Sequence, residues 1–311
     1  MKFQQKIGLV FAFISVTAIA QDIPNELKSI YNAKADAKYS DEFNGNRKEN
    51  SFDTNKWHYR ESTKEGLGQG ANFVQEKDGS LICYGHKELK KGGAIVSNNY
   101  FQYGFYAFKW KTTGIYENKR NSWHPSFWGS LDDTRGYKVP GTNGKGDSWM
   151  EIDVMEFSTG GEEATDWSTD APCYIWNDSL KKRIKVNDPI GRDFGWKKAI
   201  MIDGHKDSYK GEVIGTKGFD QWQTLGMEYH PDYMQMWILD GNQWVKIGNK
   251  VTFTTDDTPP TLRTVPKYAV KPLYWYLGTL FFTYGKTAIR EDQITNSSCE
   301  VDWFHFHPMK K

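Results

Sequence analysis

Glu151-Ile152-Asp153-Val154-Met155-Glu156 sets three carboxylates among apolar residues, in a run that reads as a single β-strand. Side chains of a strand alternate between faces, so Glu151 and Asp153 point one way while Ile152 and Val154 point the other, into a core. Strict alternation leaves Glu156 on the wrong face. One surplus residue, a β-bulge with Met155 as the extra member, returns it to the side of the other two, and bulges are over-represented beside active sites. Three like charges on one face raise one another's pKa and resist ionisation, so a chain that keeps them together has a chemical use for them.

Glycoside hydrolysis is chemistry that needs such a pair. One carboxylate attacks the anomeric carbon or activates water, and a second, kept protonated, donates to the leaving oxygen. Two acids about two pleats apart on one strand face are separated by roughly 5–7 Å, nearer the ~5–5.5 Å of retaining enzymes than the wider gap of inverting ones. The expected roles are Glu151 as nucleophile, Glu156 as acid and then base, and Asp153 as the assisting group that tunes the nucleophile. The competing readings are a solvated sheet face and a divalent-cation site of the kind carboxylates make in lectin-like sandwiches. Trp149 before the run, Phe157 after it and the tryptophan-rich surroundings speak for a site.

The chain has 311 residues, enough for one large all-β domain. Residues 1–20 combine Lys2 and Lys6 with an apolar stretch from Ile7 to Ile19 and end Ala18-Ile19-Ala20, the pattern of a secretory signal peptide cut near Ala20. A secreted or periplasmic protein is expected, with a short leader over 21–37 and one catalytic domain over 38–311. Removing residues 1–20 takes the formal charge from +1 to −1. Near neutrality argues against a nucleic-acid partner, and no later stretch has the ~20 apolar residues of a membrane span. Cys83, Cys173 and Cys299 lack metal-type spacing and read as buried apolar residues. A monomer is expected.

Alternating or aromatic-rich stretches dominate: Ser80 to Tyr84, Gly104 to Trp110, Tyr233 to Leu239 and Val301 to Phe306, with Asp240-Gly241 as a hairpin turn and Pro259-Pro260 as a surface loop. The sum is a β-sandwich of two antiparallel sheets. Thirteen Trp and seventeen Tyr exceed the needs of such a core. Sugar rings present apolar C–H patches, so Trp57, Trp123, Trp128 and Trp149 are candidate substrate platforms, with His124 beside them.

Trp123-His124-Pro125-Ser126-Phe127-Trp128 followed by the acidic run resembles glycoside hydrolase family 16 in its bulged E-x-D-x-x-E form. Asp41-Glu42-Phe43-Asn44-Gly45 with Trp57 resembles that family's first strands, Phe219-Asp220-Gln221-Trp222 through Glu228-Tyr229-His230-Pro231 to Leu239-Asp240-Gly241 its late hairpin, and Val301-Asp302-Trp303-Phe304 its closing strand. The resemblance covers roughly residues 38–310. It implies a β-jelly-roll with a concave substrate cleft, endo-acting and retaining, with the same three roles for Glu151, Asp153 and Glu156. It requires no cofactor and leaves room for a structural Ca2+, with Asp41, Glu42 and Asp302 as contributors.

Within that family, Lys56-Trp57-His58-Tyr59-Arg60 looks most like the porphyranase and agarase branch, where a Trp-x-Tyr-Arg pattern sets an aromatic platform and an arginine beside the donor subsites. Arginine suits a sulfate ester because its planar fork donates two charge-assisted hydrogen bonds. The expected substrate is a red-algal galactan, porphyran first and agarose second, with carrageenan, laminarin and a non-catalytic lectin-like sandwich as alternatives. Many relatives carry a histidine on the strand after the catalytic one, where the comparable stretch here reads Ala171 to Asn177. The insert from Asp132 to Asp147 is expected to be a loop at one end of the cleft.

Overall fold

The computed structural model describes residues 22–45, 52–60, 66–113, 123–142, 144–157, 167–170, 173–185, 221–255, 264–281 and 296–311. The expected signal peptide and Pro259-Pro260 lie outside them. Regular structure among these residues is β-strand, relieved by three short 3₁₀ turns, and no helix is long and apolar enough to cross a membrane.

Two sheets form a jelly-roll sandwich. The first has six strands in the order β1 (Trp57–Tyr59), β5 (Ala94–Ser97), β17 (Tyr274–Phe281), β7 (Trp123–Ser130), β9 (Ile152–Phe157) and β10 (Trp167–Asp170), antiparallel throughout. The second runs β16 (Thr264–Pro266), β15 (Gln243–Thr254), β14 (Tyr233–Asp240), β13 (Gln223–His230), β6 (Gly104–Thr113), β18 (Ser297–Pro308), β3 (Ser80–His86) and β2 (Val74–Lys77), with β4 (Lys91–Gly92) also paired to β3. A third, small sheet was not expected: β12 (Lys182–Lys185), β11 (Cys173–Asn177) and β8 (Trp149–Met150). The hairpin after β14 closes on Asp240 paired with Gln243, so the turn residues are Gly241 and Asn242, and Gly241 takes a φ of 59°.

The inner faces meet in an aromatic core. Phe127 and Trp275 from the six-stranded sheet pack on Phe108, Phe304 and Tyr106 of the other, with ring centroids 4.6–5.4 Å apart. Much of the aromatic surplus is therefore structural. All three cysteines are buried thiols.

The stretch expected as a leader is laid against the outer face of the nine-stranded sheet. Ile23, Leu27 and Tyr31 bury themselves on Phe105, Ala107 and Trp237. From there the chain runs beside β18, exchanging backbone hydrogen bonds from Asn32 to Pro308, Asp36 to Phe306 and Asp41 to Phe304. The polar composition of 21–37 hides these three apolar contacts, which are spaced four residues apart.

Candidate active site

The acidic run departs from a single ideal strand in two places. Trp149 and Met150 pair with Tyr174 and Cys173 in the small sheet, while Ile152 onward belongs to the six-stranded sheet, so Glu151 sits at the junction between sheets. In the ladder with β7, Ser126 faces Glu156, Phe127 faces Met155 and Trp128 faces Asp153. The bulge is thus present, but Val154 rather than Met155 is the residue left over. Both side chains are 1% exposed: two consecutive apolar residues go into the core, and Asp153 and Glu156 both emerge on the other face.

Cross-strand register arranges that outer face into rows. One reads His58, Val96, Tyr276, Trp128, Asp153; the next reads Ala94, Gly278, Ser126, Glu156, with Arg60 donating its backbone N–H to Ala94 at its head. Gly278 has a φ of 153°, and a Cβ there would meet the Ala94 Cα at 2.5 Å, so only glycine fits. Along β7, His124 precedes Ser126 by one pleat, and its Nε2 hydrogen-bonds the Glu156 carboxylate at 2.9 Å. Asp153 is buried, while Glu151 and Glu156 are half-buried.

Arg60 is 9% exposed. Its guanidinium carbon lies 5.2 Å from the ring centre of Trp128 and 5.3 Å from that of Tyr276, two rings stacked on each other at 4.2 Å. Burial lowers its pKa, and Tyr276, Asp132, Glu156 and Glu151 oppose that drop. The two outer acids of the run therefore share one fixed cation. Arg60 Nε is buried without a hydrogen-bond partner among the described residues. Tyr276 donates its hydroxyl to the Asp132 carbonyl at 2.6 Å, and burial, then Asp132, pushes its pKa well up, keeping it a donor.

Of the residues expected at the site, the structure gathers Asp153, Glu156, His124, Trp128 and Arg60 on one face, with Glu151 at its end. Three tryptophans are not platforms. Trp57 is 2% exposed and faces inward on Phe304, its Nε1 donating to Asp41. Trp123 is fully buried against Phe281, and Trp149 is buried and stacked on Tyr174. Parity is the reason: Trp57 is an odd number of positions from Arg60, and Trp123 from Trp128, so each pair points to opposite faces. Tyr276 and Asp132 escaped the sequence reading. The alternation Leu273-Tyr274-Trp275-Tyr276-Leu277 signals that Trp275 and Tyr276 face opposite ways, but not which of them faces outward.

Two further expectations change. The strand beside β9 is Trp167–Asp170, not the stretch Ala171 to Asn177, whose described part pairs in the small sheet. The insert after Asp132 is held by Asp133, fully buried, which accepts hydrogen bonds from the Arg135 and Tyr137 backbone and from the Arg135 side chain. His58 Nε2 reaches the Asp133 carbonyl at 2.8 Å, so that histidine braces the insert. The three acids expected around Ca2+ do not converge: Asp302 is 2.6 Å from Lys109, Glu42 is 2.7 Å from His305, and Asp41 holds Trp57 and the Phe43 N–H. A lysine ammonium at Asp302 already neutralises the charge a hard cation would seek.

No known protein-family profile matches the chain, and neither does any curated protein sequence. Solved structures do. The κ-carrageenase of Pseudoalteromonas carrageenovora, in complex with an oligotetrasaccharide of κ-carrageenan, aligns with a TM-score of 0.55 at 13% identity over 89% of this chain and 95% of its own. The fold is that of known glycanases. A structure described with endo-acting O-glycanases by which human gut bacteria initiate mucin breakdown aligns at 0.55, 15% identity, 88% of this chain and 99% of its own. SCLam, a non-specific endo-β-1,3(4)-glucanase from family GH16, aligns at 0.50, 16% identity, 89% and 94%.

Proposed function

We propose that the protein is a secreted, endo-acting, retaining glycoside hydrolase acting on a galactan. The observation that carries this reading is the bulge at Val154, which places Asp153 and Glu156 on the same outer sheet face, with Glu151 at its end and the charge of Arg60 acting on both outer acids. A sandwich needs no such arrangement for stability. The shared fold with glycanases agrees with it.

In the first step the Glu151 carboxylate attacks the anomeric carbon while Glu156 gives its proton to the departing glycosidic oxygen, leaving a glycosyl ester on Glu151. In the second step Glu156, now ionised, takes a proton from water, whose oxygen attacks the same carbon and releases Glu151. Two inversions retain the β configuration. His124, held 2.9 Å from Glu156, fixes the orientation of that carboxyl. The Arg60 charge favours the ionised form of the nucleophile, and Asp153, between Glu151 and Glu156 in the chain, is the assisting acid. Trp128, half-buried and backed by Tyr276, is the platform a sugar ring stacks on.

Porphyran is the preferred substrate and agarose the second. The supporting feature is Arg60: a cation set among acids is what lets an anionic sugar approach three carboxylates. The test is incubation of the mature protein in parallel with porphyran, agarose, κ-carrageenan and laminarin, followed by mass analysis of products. Sulfated galactan oligosaccharides as the dominant product support the full reading, and unsulfated agaro-oligosaccharides reassign the substrate. Carrageenan or laminarin fragments keep the hydrolase and discard the galactan branch proposed, whereas binding without cleavage of any polymer leaves a lectin-like sandwich.

A further inference from the structure

On the opposite side of the molecule, two histidines of β18 point away from the core. His305 and His307 are two positions apart, so they share the outer face of the nine-stranded sheet, while Phe304 and Phe306 point inward. Their cross-strand neighbours on β6 are Ala107 and Phe105. The small Ala107 leaves space beside His305, and the N-terminal segment closes over it, bringing Asp22 to 3.7 Å from His305 Nδ1.

The hydrogen bonds decide where the ring protons are. His307 Nδ1 lies 3.0 Å from the Asn32 carbonyl, which can only accept, so Nδ1 carries the hydrogen and the lone pair of the neutral ring is on Nε2. His305 Nε2 donates to Glu42 at 2.7 Å, which puts the lone pair of that ring, when neutral, on Nδ1. His305 Nδ1 and His307 Nε2 are both buried and have no hydrogen-bond partner among the described residues; His305 is 8% and His307 0% exposed. One ring nitrogen of each histidine and an Asp22 carboxylate oxygen all lie within 4.8 Å of one another, and His305 Nδ1 is 3.7 Å from Asp22.

We infer that Asp22, His305 and His307 form a binding site for a borderline-soft divalent metal ion, Zn2+ foremost, that fastens the N-terminal segment to the last strand. Two imidazoles and one carboxylate are a zinc donor set, and imidazole is a poor ligand for Ca2+ or Mg2+. Each histidine has the outer partner such ligands characteristically have, a carboxylate for one and a backbone carbonyl for the other, fixing tautomer and ring orientation. Tetrahedral zinc needs donor atoms roughly 3.3 Å apart. Closing the group to that spacing takes small side-chain adjustments, and Asp22, whose side chain is 42% exposed, is the least enclosed of the three. Three protein ligands leave one position for water.

The inference is independent of the hydrolase reading and is tested without it. Untagged protein, stripped with a chelator and dialysed, is titrated with Zn2+ by calorimetry, and its melting temperature is followed with Zn2+ and with Ca2+. The expected result is one equivalent of Zn2+ bound and a Tm raised by at least about 3 °C at saturating metal, with no rise from Ca2+. Asp22→Ala, an exposed change, lowers Zn2+ affinity by at least about 100-fold while the metal-free Tm stays near that of the parent. Glu42→Gln, which touches the metal only through His305, lowers it by about 10–100-fold. Absence of stoichiometric Zn2+, stabilisation by Ca2+ alone, or equal Zn2+ binding by Asp22→Ala overturns the assignment.

Discussion

The two outer faces of the sandwich are treated in opposite ways. Over the nine-stranded sheet, Ile23, Leu27 and Tyr31 cover Phe105, Ala107 and Trp237, and the buried Glu228 beneath receives hydroxyl donors from both Tyr31 and Tyr233. That patch of the face is closed, and Glu228 is answered by neutral donors. Over the six-stranded sheet, Glu151 and Glu156 stay half-buried among the described residues, and a nearly buried arginine is their shared cation. A fold gains little from a buried cation beside partly desolvated acids, and the proposed chemistry accounts for that difference between the faces.

Five substitutions probe that difference. The largest effect is expected at the acids themselves: Glu156→Gln, isosteric and half-buried, lowers kcat by about 10²–10⁴-fold with little change in Tm, and Glu151→Gln lowers it at least as far. Reducing-end release and a thermal melt, run side by side, check both halves of that statement. A melt that fell together with activity would make the face structural. Next comes Trp123→Ala, on the same strand as Trp128 but facing inward, which should cost about 3–5 kcal/mol of stability through the cavity left against Phe281. Denaturant unfolding reads it directly, and a cost below 1 kcal/mol would mean that the inward assignment is mistaken.

Smaller and more selective effects are expected at the cation. Arg60→Lys keeps the charge but loses the planar fork, so kcat/KM on sulfated galactan should fall by about 2–3 kcal/mol in transition-state terms, with a smaller loss on neutral agarose. Equal losses on both polymers would leave Arg60 a partner of Glu151 and Glu156 alone and remove the argument for sulfate. The smallest change is Trp128→Ala, worth about 1 kcal/mol in KM, with kcat and Tm nearly unaffected. Comparison with Trp123→Ala sharpens the contrast: two tryptophans five residues apart, one expected to move binding and the other stability.

Much of the site was legible in the run 151–156, because period-two alternation and the misplacement of Glu156 together demand a bulge. The surplus residue was misassigned to Met155, since two buried apolar neighbours look alike in sequence and only the partner strand's register distinguishes them. The platforms were overcounted because composition cannot tell a core tryptophan from an exposed one, although parity within Lys56 to Arg60 and within Trp123 to Trp128 already separates them. Tyr276 and Asp132 come from distant parts of the chain, and only the pairing of β17 with β7 brings them to Arg60. The histidine cluster was invisible for a similar reason: Asp22 and His305 are remote in sequence, and a polar leader gave no sign that it was folded onto the last strand.

The central claim is that Glu151 and Glu156 act in succession through a covalent intermediate on this face. The anomeric configuration of the first product tests it most directly, followed by proton NMR in the first minutes after enzyme is added to whichever polymer is cleaved. The account predicts that the β-anomer appears first and that the α-anomer grows in only as mutarotation proceeds. An α-anomer appearing first would mean a single displacement by water, and the nucleophile assigned to Glu151 would be wrong.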